Sequence, residues 1–333
     1  MRRHVSNPAT ERARTHAIGI DIGGTKTQAV AIDASNTVIA SVSVPTVPGP
    51  QAVIETTASV FRAIHAEVGP VSSLGIGIPG VVDASGRVKY AVNVGLTDID
   101  LAREIERELG IRPVVANDVS MAAMGAAHQR DDATSLALLN LGTGFAVGIV
   151  LNGSVYKGAT AVAGEFGHIS VDPAGPLCKC GQHGCLELYL SGSGIARMWP
   201  TDAVYPAVDL FQNAAAGTPH AVAVVDTFIA RLAWAVQLVV VSLDVAKVVI
   251  GGGLSALGPA ILDPLHSRLR TEAAHSAFLQ SLALADRISL VAPGYPVAAI
   301  GAGIHGRDVA QPASTTPEIS LPPETTRASS AHG

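Results

Sequence analysis

Two stretches of the chain repeat one design, and that repetition narrows the possible folds more than any other feature. Residues 17–44 run as a Val/Ile-rich strand, the glycine turn Gly23-Gly24-Thr25 and further strands, in AIGIDIGGTKTQAVAIDA and NTVIASVSV. From Ser135 the run SLALLNLGTGFAVGIVLNGSVY repeats strand, turn and strand around Gly142-Thr143-Gly144. The two turns hold equivalent places, so an internal duplication with a cleft between its halves is expected. At 333 residues the chain exceeds the usual size of one core, which also favours two lobes.

Between the repeats, sheet and helix patterns alternate, the mark of an α/β protein. A helix is predicted at about 52–68, a strand over SLGIGIPGVV, a helix near DLAREIERELG and a strand at PVVAND. Antiparallel strands first and helix-linked strands afterwards is unlike the start of a nucleotide-binding βαβ unit. Later come a long apolar helix, the strand AKVVIGGGLS and a closing helix over about 297–306. The expected layout is a disordered tail at 1–16, a small lobe at 17–118 completed by the closing helix, a large lobe at 119–296, and a Pro/Ser/Thr-rich disordered tail at 307–333.

Hydrophobic residues make up 48% and charged ones 15%, ample for buried cores. A formal net charge of −5 gives no drive toward nucleic acid or anionic lipid, so a small uncharged substrate fits better. The first residues carry basic side chains without an apolar segment behind them, so no secretory signal is expected and the protein is placed in the cytoplasm. One run, HAVAVVDTFIARLAWAVQLVVVSLD, is long enough to span a bilayer. Asp226, Arg231 and Gln237 interrupt it, and a buried core helix is the expectation.

All three cysteines, Cys178, Cys180 and Cys185, fall within eight residues, in HISVDPAGPLCKCGQHGCLE. Thiolates at this spacing, with Gly181 and Gly184 between them, make a knuckle suited to a tetrahedral ion. An odd count in a reducing compartment disfavours disulfides, so a structural zinc is expected, with His168 or His183 as the fourth ligand. Four protein ligands would leave no place for a reactive water, and such an ion would brace a loop.

The turn in IDIGGTKT lets backbone N–H groups approach an anion, with Thr25 and Lys26 adding a hydroxyl and a cation. A lone turn of this kind is weak evidence, and it lacks the P-loop spacing. Gly142-Thr143-Gly144 and Gly251-Gly252-Gly253 also end Val/Ile-rich strands, and three such turns together point to a nucleotide. In VVANDVSM either Asn117 or Asp118 suits a helix N-cap, while Asp118 at a strand's end also suits a proton acceptor for a substrate hydroxyl. Glu165 and Glu187 flank the knuckle, where a bound ion would fix them as acceptors for sugar hydroxyls.

DIGGTK, the Asn117-Asp118 pair, GEFGH and the C-x-C-G-x-x-G-C-x-E knuckle together resemble the ROK family of bacterial sugar kinases and repressors, from about Ala17 to Gly306. The resemblance implies a two-lobed, actin-like (ribonuclease H-like) ATPase fold of hexokinase type, with the active site in the interlobe cleft. It makes Asp118 the general base that activates a sugar 6-hydroxyl toward the γ-phosphate of ATP. Gly80, Asn93, Asn117, Glu165, His168 and Glu187 would bind the sugar. Asp21, Gly23, Gly24, Thr25, Lys26, Gly142, Thr143, Gly144, Gly252 and Gly253 would face the nucleotide and its Mg2+. Zn2+ would be held by His168, Cys178, Cys180 and Cys185. Family repressors carry a helix-turn-helix before the DIGGT-like strand, whereas about 16 residues precede it here, so DNA binding is not expected. Many relatives place a tryptophan shortly after the asparagine equivalent to Asn93, where this chain reads NVGLTDID. The segment CGQHGCLELYLSGSGIA is most similar to N-acetylglucosamine kinases, with glucose and N-acetylmannosamine as the other candidate acceptors and a homodimer as the expected assembly.

Overall fold

The computed structural model describes residues 16–83, 85–129 and 134–310. The chain opens with β1 (His16–Ile22), β2 (Lys26–Ile32) and β3 (Val38–Pro45), then the helix Pro50–Val68 and β4 (Val71–Ile78). A small antiparallel sheet of β5 (Val81–Val82), β6 (Val88–Ala91) and β7 (Leu96–Ile99) follows, then the helix Leu101–Leu109, β8 (Val114–Asn117) and the helix Asp118–His128. The second half holds β9 (Leu136–Leu141), β10 (Phe145–Leu151) and β11 (Ser154–Val155), the long helix Pro219–Leu243, β12 (Lys247–Gly251), the helix Pro259–Ala273, β13 (Ile288–Leu290) and the closing helix Val297–Ala310.

The duplication expected from the sequence is present in the topology. The first sheet runs β3-β2-β1-β4-β8 and the second β11-β10-β9-β12-β13. In each, the first three strands pair antiparallel and the remaining pairings are parallel. β1 and β9 are buried along nearly their whole length, as strands covered on both faces should be. Their Val/Ile/Leu content therefore serves two layers of packing, and alternation is lost.

The helix after the last strand of each sheet crosses to the other sheet. Ala122, Ala123, Ala126 and Ala127 of the helix Asp118–His128 pack with Leu136, Leu138, Val150 and Val249 of the second sheet. Ala299, Ile300 and Ile304 of the closing helix pack with Ala17, Val30 and Ile32 of the first. Where these helices meet each other and the strands, glycine lets backbone touch backbone. A Cβ at Gly19 would fall 1.8 Å from the Ala299 carbonyl oxygen, at Gly75 1.8 Å from that of Ala302, and at Gly301 1.8 Å from that of Met121.

The closing helix runs to Ala310, four residues past the expected end at 306 and into the stretch expected as a disordered tail. The reason is Arg307, whose guanidinium donates to the carbonyl oxygens of Ile32 and Asp33 and to Oδ1 of Asn36, docking the last turn on the β2–β3 hairpin. The N-terminal tail expected at 1–16 likewise ends one residue early, because His16 opens β1, and of the two expected tails residues 1–15 and 311–333 lie outside the described residues.

The long helix Pro219–Leu243 is apolar and long enough to cross a membrane by length and composition. It packs into the second core, burying Phe228, Leu232, Val236 and Val239. Two of its interrupting polar residues have partners: Asp226 pairs with Arg268 at 3.6 Å, and Arg231 lies over the Tyr189 ring at 5.3 Å.

Candidate active site

Three glycine turns meet at one cavity of about 790 Å³. Its wall takes Asp21, Gly23, Gly24, Thr25 and Lys26 from the β1–β2 turn, Gly142 and Thr143 from the β9–β10 turn, and Gly253 after β12. The turns are fastened together through the backbone. Gly252, at φ +79°, packs against Leu141 and Gly142 so closely that a Cβ would fall 2.5 Å from the Leu141 carbonyl. Gly192 N–H donates to the Gly142 carbonyl at 2.8 Å, and Ser193 Oγ donates to that of Thr143 at 2.8 Å. Gly144 lies behind the wall, where a Cβ would meet Glu187 Oε2 at 2.6 Å. The same oxygen accepts the Phe145 N–H at 3.1 Å, so Glu187 joins the knuckle to the second turn.

A second, narrower cavity of about 40 Å³ lies at the end of β8, among Gly80, Asn117, Ser120, Lys157, Gly164 and Glu165. Of the two candidate caps, Asn117 takes that role: its Oδ1 accepts the Ser120 N–H at 3.1 Å. Its Nδ2 donates to the Gly80 carbonyl at 3.1 Å, holding the turn after β4. Gly80 sits at φ +99°, with the Tyr90 carbonyl 2.1 Å from where a Cβ would be.

Asn117 having taken the cap, the Asp118 carboxylate is free of it. Burial lifts the Asp118 carboxyl to about 6, against the Val119 N–H donated to it at 2.9 Å and with a further push from the negative charge of Glu165. Asp21 is lifted to about 7, first by burial and then by the charge of Asp118, with Lys26 opposing. Asp118 is thus coupled to a carboxylate on the wall of each cavity. Two half-buried carboxylates offset by one lysine suit a bound divalent cation.

The GEFGH segment is pressed onto β10 by its glycines. A Cβ at Gly164, φ +99°, would fall 2.0 Å from the Val147 carbonyl oxygen, and one at Gly167 2.2 Å from that of Phe145. This fixes Glu165 between the two glycines and His168 directly after the second. Asn93 stands apart from these groups, with its Cβ 3.4 Å from the Cβ position of Gly24 on the first glycine turn.

The knuckle folds back as an irregular ribbon, Val171 N–H donating to Gly184 and Leu186 N–H to Ile169, both at 2.9 Å. His168, Cys178, Cys180 and Cys185 bring four ligand atoms within 4.8 Å of one another. Cys180 Sγ is 3.5 Å from Cys185 Sγ, and Cys178 Sγ is 3.8 Å from His168 Nδ1. Sulfurs at about 2.3 Å from a tetrahedral ion stand roughly 3.8 Å apart, so a three-sulfur, one-nitrogen donor set of this spread fits zinc. His183, the other histidine open from the sequence, is turned away, its Nδ1 2.9 Å from the Gly175 carbonyl oxygen.

Ser193 and Tyr205, which line the larger cavity, were not singled out by motif. Ser193 carries a signal, since SGSG follows the knuckle after only Leu188, Tyr189 and Leu190; Tyr205 sits in an ordinary-looking loop.

The fold is that of the two-lobed, actin-like ATPases. The ROK family profile matches residues 17–288. A glucokinase from Halalkalibacterium halodurans is 32% identical over 275 residues, covering 74% of this chain and 83% of the relative. An N-acetyl-D-glucosamine kinase from Yersinia pseudotuberculosis is 34% identical over 260 residues, covering 71% and 83%. Among solved structures, a ROK family glucokinase from Streptomyces griseus in complex with glucose and AMPPNP superposes with a TM-score of 0.72 at 26% identity, covering 88% of this chain and 99% of that one. The chain belongs to the ROK family, as one of its sugar kinases.

Proposed function

We propose that the protein transfers the γ-phosphate of ATP to the 6-hydroxyl of N-acetyl-D-glucosamine, working in the cytoplasm. The observation that carries this reading is the placement of Asp118, half-buried at the junction of β8 and its helix, next to Asn117 on the wall of the smaller cavity, with its carboxyl raised to about 6 and electrostatically tied to Asp21 on the nucleotide side and to Glu165 on the sugar side. A carboxylate with that affinity for protons is matched to accept one from a hydroxyl near neutral pH.

In this reading the sugar lies against Gly80, Asn117, Glu165, His168 and Glu187, its 6-hydroxyl on Asp118, and Asn93 would reach it from beside Gly24 on the first glycine turn. The carboxylates of Glu165 and Glu187 accept from the remaining hydroxyls. The triphosphate lies along Gly23, Gly24, Thr25, Gly142, Thr143, Gly144, Gly252 and Gly253, with Lys26 offsetting its charge. Asp21 would hold the nucleotide's magnesium, which supplies charge neutralisation for the transferring phosphoryl group. Asp118 takes the hydroxyl proton as the oxygen attacks, and positioning does the rest of the work. The small lobe of 17–118 with the closing helix and the large lobe of 119–296 meet at this cleft.

N-acetylglucosamine is favoured by the likeness of CGQHGCLELYLSGSGIA to kinases of that sugar. Glucose is the second reading, supported by the glucokinase relatives at similar identity. A coupled ADP-release assay over hexoses and N-acetylhexosamines is expected to give the highest kcat/KM for N-acetylglucosamine. Highest efficiency with glucose would transfer the assignment to glucokinase, and no turnover with any sugar despite sugar binding would make the protein a sensor.

We assign the knuckle a structural zinc held by His168, Cys178, Cys180 and Cys185. Its loop carries Glu165 at one end and Glu187 at the other, so bracing and sugar affinity should fall together. Cys180→Ser is expected to lower Tm and weaken sugar binding about 10- to 100-fold. Unchanged affinity, with no zinc found in the wild-type protein by metal analysis, would remove this assignment.

A further inference from the structure

The larger cavity has two chemically different ends. The glycine turns and the side chains of Asp21, Thr25, Lys26, Thr143 and Ser193 give one end groups suited to phosphates and their counter-ion. The other end is apolar, walled by Val204, Tyr205 and Val208 on one element and by Leu254 and Leu257 on another. Val204 is 84% exposed and Tyr205 72%, a large apolar surface left open to water at the mouth of a cavity. The loop is nevertheless held in place. Asp209 N–H donates to the Tyr205 carbonyl at 3.1 Å, and Trp199 Nε1 donates to Asp209 Oδ2 at 2.7 Å. Asp209 also accepts from Asn213 Nδ2, so the carboxylate and amide of this helix are already engaged with each other. At the apolar end, the Tyr205 hydroxyl is the one side-chain polar group among the described lining residues.

We propose that this end is a stacking slot for the purine base of the phosphoryl donor, with Tyr205 as its principal contact, and that it grips the ring by its faces without reading its edge. ATP and GTP then bind alike, because exchanging the 6-amino group for an oxo group breaks no side-chain hydrogen bond. Sites without such a bond discriminate weakly between near-isosteric ligands, while sites built around one reject the wrong partner strongly. The proposal deepens the kinase reading above and rests on it.

Calorimetric titration of the full chain with ATP, GTP and inorganic tripolyphosphate, without acceptor sugar, tests it. ATP and GTP are expected to have Kd values within about tenfold of each other. Tyr205→Ala should weaken both about 10- to 100-fold, the range for loss of one base-stacking side chain, and leave tripolyphosphate affinity unchanged; Tyr205→Phe should bind as wild type. A preference for ATP beyond tenfold would show that the base edge is read and overturn the proposal. So would Tyr205→Ala that left ATP affinity intact or weakened tripolyphosphate equally, since the latter marks a merely structural role. Affinities as expected with no turnover on any sugar would overturn the kinase reading and leave the slot standing; turnover with strong rejection of GTP would do the reverse.

Discussion

Asp118→Asn is expected to cut kcat by about three orders of magnitude while leaving sugar affinity within about threefold, since the substitution keeps the shape of the residue and removes its capacity to accept a proton. The wild-type pH profile carries a matching signature. The carboxylate is the active form, so kcat/KM should rise with pH along a limb centred near 6, and the residual activity of the variant should lack that limb. Stability should move the other way. The folded chain holds the Asp118 proton up to about 6, whereas an unfolded aspartate releases it near 3.8. The native state thus binds more protons across that window, and stability is lost as pH rises through it. At pH 7.5 the variant escapes this cost and is expected to melt several degrees higher, at about 2–4 °C per kcal/mol. A variant retaining more than a tenth of wild-type kcat would remove Asp118 from the role of base.

Gly301→Ala is expected to destabilise the protein by about 4 kcal/mol or more, or to prevent its accumulation as a folded chain. The added methyl would lie 1.8 Å from the Met121 carbonyl oxygen and 2.6 Å from the Gly125 nitrogen, and neither can swing aside as a side chain can. The two crossing helices would have to separate, loosening both sheets at once. Gly303→Ala, two residues along the same helix, is the control. There the methyl would first meet Ile32 Cδ1 at 3.1 Å, a movable side-chain end, with the Gly19 nitrogen next at 3.3 Å, and the cost should be about 1–2 kcal/mol. Thermal melts of the two variants at equal concentration rank them; equal Tm values would show that helix contact is softer than its geometry implies.

The repeat was legible because glycine turns between apolar strands are local signals, and both sheets follow the order that repetition predicts. The knuckle was legible because three cysteines within eight residues are rare. Local pattern failed where a choice depended on distant partners. Nothing in VVANDVSM says that Asn117 will cap the helix, since the Gly80 carbonyl that helps to hold it comes from another strand. The local pattern ends the closing helix at about 306, because Arg307 looks like the start of a polar tail until the hairpin at 32–36 is in place to receive it. The apolar slot is invisible in the sequence for a related reason: an exposed tyrosine in a loop acquires meaning only when the turns at 23–26 and 142–143 line the same cavity.

Because the closing helix covers β1 and β4, these strands leave the ribosome long before the helix that completes their packing has been made. At about 5–20 residues per second, the roughly 280 residues separating Gly19 from Gly301 amount to about 15–60 s during which an apolar sheet face waits without its cover. Truncation before Val297 would make that wait permanent, and the N-terminal half expressed by itself should depend on chaperones or aggregate.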